Sequence, residues 1–512
     1  VHSIIRYVTI MSADNRTSRD RQASTFAGDI FKLVSGTTAS QAIVILASPV
    51  LTRIYGPEAF GLLSLFTSAT AIIAVIVCMR YEMAIMLPES DQEAANLLAG
   101  SLLVTCLVSG LTLFVVTLNS DLVVGLMKTP DMARYLWLVT PAVFFSGVFL
   151  SLNYWNSRTK HFGRLSVATV TSKALATGTQ LAAGAAGYAT GGSLIAASVF
   201  GQIVATIGLA GQILRDDRDI FSTIRKKDIY LGFIRYKRFP LIDTWSALLN
   251  TLSWQLPIFL LAFYFSPAVV GLYALGMRML QFPMSLIGKA ISQVFFQRAA
   301  EVRSDERFPL FVTHVFRMLI ITGMFPILLV TVIGSDIFSV LFGELWVEAG
   351  FYAQILSIWA FVWFISSPLS TLYVVFEKQD FGLAYNLLNM ISRLISLIAG
   401  GLLGSPVLAL IFFSLSGIFT YGYLCWTMLA LSKVKWSVVS AILSKNLALF
   451  MPTGIVLLYL KYLDLGSVVL VLVGSVSCAL YYLYLIATDP QIQNVLISFG
   501  AKKRLPFLFR LR

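Results

Sequence analysis

The feature that most constrains this chain is its succession of long apolar runs, most of them near twenty residues, separated by short charged or Pro/Gly-containing segments. About twenty such residues cross the hydrocarbon core of a bilayer as one helix. Inside lipid every backbone polar group needs an internal partner, and a helix supplies it within its own segment. Runs bounded in this way predict about fourteen spans, near 30–52, 60–79, 94–117, 133–154, 165–188, 192–214, 241–264, 269–296, 310–333, 351–376, 382–404, 406–430, 447–461 and 467–487. The run at 447–461 is the shortest and barely long enough. Of 512 residues 57% are hydrophobic and only 12% charged, about half the charge of an ordinary soluble domain. An ordinary soluble protein, a single-anchor enzyme and a peripheral protein are thereby excluded.

The formal charge of +13 comes from 38 Lys and Arg against 25 Asp and Glu. In a soluble protein it would suggest nucleic acid; among alternating spans it reports sidedness, because cytoplasmic flanks retain Lys and Arg. With the N-terminus inside, the inner segments hold 29 of these residues and the outer loops 4, namely Arg53, Lys128, Arg134 and Lys461. Both termini are therefore expected to be cytoplasmic, with no nucleic-acid partner. Residues before Met11 are too short and too interrupted for a secretory segment, Met11 reads as a candidate start, and residues 12–28 read as a disordered polar tail.

No HExxH, GxxxxGK[ST] or GxSxG occurs, so no zinc hydrolase, nucleotide engine or serine hydrolase is indicated. The four cysteines lie in apolar runs without CxxC spacing and read as packing residues. His161 and His314 sit near the inner surface and read as interfacial. Neither cofactor nor metal is expected, and no enzyme activity.

The two halves resemble each other. Pro57 to Gly61-Leu62, between spans one and two, recurs as Pro267 to Gly271-Leu272 between spans seven and eight, an offset of 210. Ser151, Tyr154, Phe162 and Gly163 recur as Ser370, Tyr373, Phe381 and Gly382, an offset of 219. Copies six spans apart run in the same direction, which predicts a parallel repeat about an axis along the membrane normal. The expected fold is all-α: an N-lobe at 30–214, a basic linker at 215–240 and a C-lobe at 241–430 around a central cavity. A helix pair at 431–488 follows, with cytoplasmic tails at 1–29 and 489–512.

Five cations fall within spans: Lys173, Arg278, Lys289, Arg317 and Arg393. A charge at mid-bilayer costs ~2.5–3.5 kcal/mol on insertion scales, so such residues face a wet cavity or a partner, or snorkel to the surface. Arg278 and Lys289 are eleven residues apart, near three helical turns, which places them on one face about 16 Å apart. Lys173 and Arg393 lie at an offset of 220, close to the repeat, and would approach the cavity from opposite lobes. Arg317, near an inner end, reads as a snorkelling residue. No carboxylate offers itself as a buried partner; Asp243 at the start of span seven comes nearest. A cavity with cations and no acids favours an anionic ligand, phosphate above all. Gln41, Gln180, Gln202, Asn250, Gln255, Asn386 and Asn389 could bind sugar hydroxyls or bond between helices. Gly187-x-x-x-Gly191 and Gly400-x-x-x-Gly404 read as tight helix contacts, and Ser90 to Glu93 as a capping box.

The stretch from Lys32 to Leu98 resembles the opening of Wzx-type polysaccharide biosynthesis proteins, which flip undecaprenyl-pyrophosphate-linked oligosaccharides. The likeness is carried by Ser48-Pro49, Leu51-Thr52-Arg53-Ile54-Tyr55, Pro57-Glu58, Phe60-Gly61, Arg80-Tyr81-Glu82 and Leu87-Pro88. Beyond residue 100 it rests on hydropathy and the repeat, shared with lipid II flippases and multidrug antiporters. The resemblance implies alternating access by two lobes in a bacterial inner membrane, with a lipid-linked oligosaccharide as substrate. It further implies a surface-polysaccharide polymerase and chain-length machinery as partners. Related flippases use arginines in helices one, two and eight; Arg278 corresponds by location to the last. Arg53 and Arg80, with Glu82, sit at helix ends and would anchor those ends or form gates. Two rivals remain: a cation-coupled drug exporter of the same fold, which normally needs a membrane carboxylate, and a membrane glycosyltransferase or polymerase, which normally needs a sizeable acidic loop.

Overall fold

A computed structural model of the chain describes residues 19–118, 125, 129–283, 289–303, 305–489 and 493. Every element among the described residues is helical. The long helices are α1 (Arg19–Ile54), α2 (Pro57–Ile76), α3 (Asp91–Leu118), α4 (Val139–Arg158), α5 (Phe162–Ala185), α6 (Gly191–Asp216), α7 (Thr244–Tyr264) and α8 (Pro267–Pro283). They continue as α9 (Lys289–Val302), α10 (Phe308–Phe342), α11 (Val347–Leu369), α12 (Gln379–Leu402), α13 (Pro406–Leu431), α14 (Trp436–Tyr462) and α15 (Ser467–Thr488). Twelve stretches of the described chain are helices long and apolar enough to cross a membrane. The two expected spans outside that set are the fifth and the eighth, and both carry candidate cations: α5 holds Lys173 among small polar residues, and α8, 17 residues long, holds Arg278. The run expected to be shortest belongs to a helix of 27 residues, α14, about 40 Å long. α1 starts at Arg19, inside the expected disordered tail, where Arg, Gln and Ala favour helix.

Close packing gathers the chain into two compact units, Asp29–Leu275 with Arg393–Ala409, and Gly276–Ser392 with Leu410–Arg512 and Val1–Gly28. In the first unit a buried cluster joins Ala94, Leu97 and Leu98 of α3, Leu152 and Trp155 of α4, Leu165 of α5 and Leu209 of α6. Three cations near its helix ends are paired: Arg158 with Asp91 at 2.9 Å, Arg164 with Asp216 at 2.7 Å, and Arg235 with Glu93. Only half of the expected capping box forms. Ser90 Oγ accepts from the Glu93 N–H at 3.2 Å, while the Glu93 carboxylate turns to Arg235.

The GxxxG pairs also divide. Gly191 packs on Leu62 and Gly400 on the Ala409 backbone, whereas Gly187 (φ 88°) and Gly404 (φ 68°) face open space and end their helices in the left-handed region. A residue without a Cβ reaches that region freely.

The sequence repeat has two local echoes. After α4, Lys160 takes φ 59° and the His161 N–H donates to the Asn156 carbonyl; after the short helix Leu372–Val375 that follows α11, Glu377 takes φ 58° and the Lys378 N–H donates to the Tyr373 carbonyl. Both are the same six-to-one helix stop. More directly, the two proline-glycine motifs meet. A Cβ on Gly61 would lie 1.7 Å from the Pro267 carbonyl oxygen, and one on Gly271 would lie 1.9 Å from that of Pro57.

In the second unit, the backbone bonding of α10 is interrupted at two places, and each is satisfied from outside the helix. Pro326 has no N–H, which orphans the Thr322 carbonyl; the Tyr482 hydroxyl of α15 donates to it at 2.7 Å. Beside it Tyr481 stacks on Phe325 at 4.4 Å and donates to the Ile321 carbonyl at 3.0 Å. At Ile333 the backbone leaves helical geometry (φ −123°, ψ 27°), and Gln354 Nε2 of α11 donates to the Thr331 and Val332 carbonyls at 2.9 and 3.1 Å. Exchanging Tyr482 for Phe is therefore expected to cost about 1 kcal/mol in thermal denaturation in nanodiscs. The loss should vanish beside Pro326→Ala, which returns an N–H to Thr322. An equal loss in both backgrounds would remove the assignment.

Candidate functional site

The most elaborate charged site of the first unit follows α2. The chain turns through Met79 (φ 49°) and Arg80 (φ 62°), left-handed positions that carry strain for residues with a side chain. Arg80 is held there by donation from Nε to Asp243 Oδ2 at 2.8 Å. Asp243 closes a single π turn, Phe239–Asp243, that opens into α7. Turns of this type are frequent at functional sites.

Two residues on, Glu82 is 1% exposed. Neither of its carboxylate oxygens has a hydrogen-bond partner among the described residues, and Arg80 Nη1 stands 3.8 Å away. Burial pushes the Glu82 carboxyl up to about 7; Arg80 opposes the shift and the charge of Asp243 adds to it. Cys78 and Tyr154 border the same group. The expectation that no carboxylate is a buried partner is thus corrected. Glu82 lies between hydrophobic runs in the sequence, yet the turn that carries it folds under Arg80.

The cations expected within spans take different places. Arg393 is 1% exposed, with its guanidinium 4.4 Å above the Trp254 ring and Nη1 donating to the Ser253 carbonyl at 3.3 Å; Tyr273 lies close by. A planar cation is held here by an indole face and a backbone acceptor at its edge. Lys173 is exposed on α5.

Arg317, expected to snorkel, is ion-paired to Asp489, which is 4% exposed at the end of α15. Here a second carboxylate is buried, and it closes the last helix onto α10. Arg53 donates to the Pro49 carbonyl of its own helix at 2.9 Å. Arg278 is half-buried on α8 and, among the described residues, makes no hydrogen bond or ion pair. Lys289 opens α9, but its side chain and residues 284–288 lie outside the described residues, and with them the expected three-turn ladder.

Of the polar span residues, three bond between helices. Gln180 Nε2 donates to the Leu194 carbonyl and to Ser198, Gln202 accepts from Ser172, and Asn389 bonds Tyr421 and Thr420. Trp254, Ser253 and Tyr273 were not foreseen as neighbours of a cation. An indole within an apolar run carries no signal that separates a membrane-anchoring role from a cation seat. Among the described residues no three His, Cys, Asp or Glu gather as metal ligands.

No curated protein sequence matches the chain. Several solved structures share its fold. The lipid II flippase MurJ in an inward closed conformation is 12% identical, with TM-score 0.69 over 88% of this chain and 97% of its own. An inward-facing multidrug resistance MATE family transporter of the MOP superfamily is 15% identical, with TM-score 0.59 over 77% and 96%. A mutant form of the Vibrio cholerae MATE transporter VcmN is 14% identical, with TM-score 0.51 over 81% and 98%. A family model described as polysaccharide biosynthesis protein matches residues 50–351. That match spans more than half of the sequence, on a helical scaffold of the same fold as the flippase and MATE structures, and it makes the chain a member of the polysaccharide biosynthesis protein family.

Proposed function

We propose that this protein is a flippase that moves undecaprenyl-pyrophosphate-linked oligosaccharide from the cytoplasmic to the periplasmic leaflet of a bacterial inner membrane, for surface polysaccharide export. Two six-helix lobes related by the parallel repeat rock about a central cavity, and α14 and α15 are appended to them. Both termini are cytoplasmic, as the distribution of Lys and Arg requires.

The observation that carries the reading is Arg278, a half-buried guanidinium on α8 with no acid partner among the described residues. Such a group is stabilised by an anionic ligand, and its planar fork suits pyrophosphate. Lys289 and Lys173 supply further point charges. Arg393, seated on Trp254, braces its helix and contributes its field to the cavity. The prenyl tail stays in lipid between the lobes, and a polymerase with its chain-length machinery takes up the product.

The test is translocation of a fluorescent lipid-linked oligosaccharide by the purified protein in vesicles. Protein-dependent movement is expected, and movement no faster than in empty vesicles would overturn the reading. One observation favours a second reading, a cation-coupled exporter of the same fold. Glu82 is a buried carboxylate of the sort such coupling needs. Ion-driven drug movement without oligosaccharide movement would select it.

A further inference from the structure

The two copies of the proline-glycine motif do more than resemble each other. The first turn of α2 and the first turn of α8 are pressed together so that each glycine faces the carbonyl of the other copy's proline: Gly61 against Pro267, Gly271 against Pro57. An added Cβ would stand 1.7 and 1.9 Å from those oxygens, where ordinary contact begins near 3.4 Å. Each glycine is reciprocal to the other in the manner of a two-fold contact. The Hα of each glycine points at an opposing carbonyl, a weak hydrogen bond, and neither contact uses a side-chain charge.

We propose that the Pro57–Gly61 and Pro267–Gly271 turns form a reversible clasp that holds the outer end of the bundle shut and must part before cargo leaves. The inference deepens the flippase reading and rests on it for the cargo. Its location follows from the sequence: both turns lie on the side whose loops are poor in Lys and Arg, with Arg53 the one cation beside them. Its reversibility follows from the chemistry. Backbone faces without side chains approach closely and separate without breaking an ion pair or dislodging a packed side chain. Its place in the cycle follows from the repeat, because the contact joins one copy to the other. The similarly tight seat of Gly201 on the Ser172 carbonyl joins α6 to α5 within a single copy.

The test uses the full chain with its four native cysteines replaced by Ser and a reporter, Ser68→Cys. Ser68 is 3% exposed and lies two turns beyond Gly61, about 10 Å deeper. A membrane-impermeant maleimide is added outside right-side-out vesicles, with no lipid-linked substrate. Gly61→Ala and Gly271→Ala should each raise the labelling rate at least about tenfold by shifting the population towards outward-open. Gly201→Ala, which crowds a carbonyl inside one copy, should not. Unchanged labelling in both clasp variants, or an equal rise in Gly201→Ala, would overturn the proposal.

Should the glycine variants fail to express, Glu58→Cys with Ala268→Cys joins the two turns through a short bis-maleimide without altering either glycine. Rapid cross-linking and arrested translocation are expected. Failure to cross-link, or undiminished translocation by the cross-linked protein, would overturn the clasp. Because the labelling needs no substrate, clasp and cargo fail separately. Opened labelling in a protein that moves no oligosaccharide removes the flippase reading alone, and unchanged labelling in an active flippase removes the clasp alone.

Discussion

Exchanging Arg278 for Gln is expected to slow lipid-linked oligosaccharide translocation about ten- to a hundredfold, the loss of one charge-assisted contact worth ~1.5–3 kcal/mol, while raising thermal stability. The two changes have opposite signs for one reason. Without substrate the guanidinium of Arg278 has no acid partner among the described residues, so in the resting protein it is an uncompensated cost. With substrate, on the function proposed above, it would hold the pyrophosphate. A residue whose removal stabilises the fold and damages transport is serving function at the expense of stability. Arg278→Lys should recover part of the rate, keeping the charge but losing the bidentate fork.

Arg393 should behave in the reverse sense. Its cation is already seated on Trp254 and the Ser253 carbonyl, so Arg393→Gln should lower stability, and Lys, which cannot stack as a plane, should not restore it. Vesicle translocation and thermal denaturation, read on the same preparations, decide the matter. A parallel fall of rate and stability in Arg278→Gln would reduce that residue to a structural one.

The second large effect is a stability difference that depends on pH. Burial raises the Glu82 carboxyl from an ordinary 4.5 to about 7 in the folded protein. A folded-state value above the unfolded one means that, within this window, the folded state holds a proton that the unfolded state has released. Stability therefore falls as pH rises from about 4.5 to 7, and the full cost remains above 7. A displacement of this size corresponds to about 3 kcal/mol. Glu82→Gln removes the titration, so its melting temperature should exceed that of the parent clearly at pH 8 and converge with it towards pH 5. Arg80 retains Asp243 in the variant and keeps its turn in place. A difference that is constant across pH would show that Glu82 carries no burial penalty of this kind.

The helices were largely legible because hydropathy is a local property. Twelve of the fourteen expected runs are helices long and apolar enough to cross a membrane, since the bilayer imposes one length on all of them. The fifth falls short of that pattern because α5 is rich in Ser, Thr, Gly and Gln around Lys173, which lowers its hydropathy. The eighth is described only as the 17 residues of α8, with 284–288 outside the described residues. The proline-glycine repeat was legible as a pattern, though its self-contact was not, because nothing in an offset of 210 residues says whether equivalent turns touch.

The charged residues divide in the same way. The excess of Lys and Arg on one set of loops follows from the order of residues alone, and so does the scarcity of charge within the runs. Whether a given charge is buried, paired or waiting for a ligand depends on partners far away in the chain. Arg80 meets Asp243 across 163 residues and Arg393 meets Ser253 across 140. Sequence alone therefore determined a multi-span helical membrane protein with an internal repeat and a handful of suspect cations. Tertiary structure decided that Glu82 and Asp489 are buried acids, that Arg393 already has its seat and that Gly61 and Gly271 close on each other. Burial and pairing are set by contacts between helices, and periodicity along one helix does not encode them.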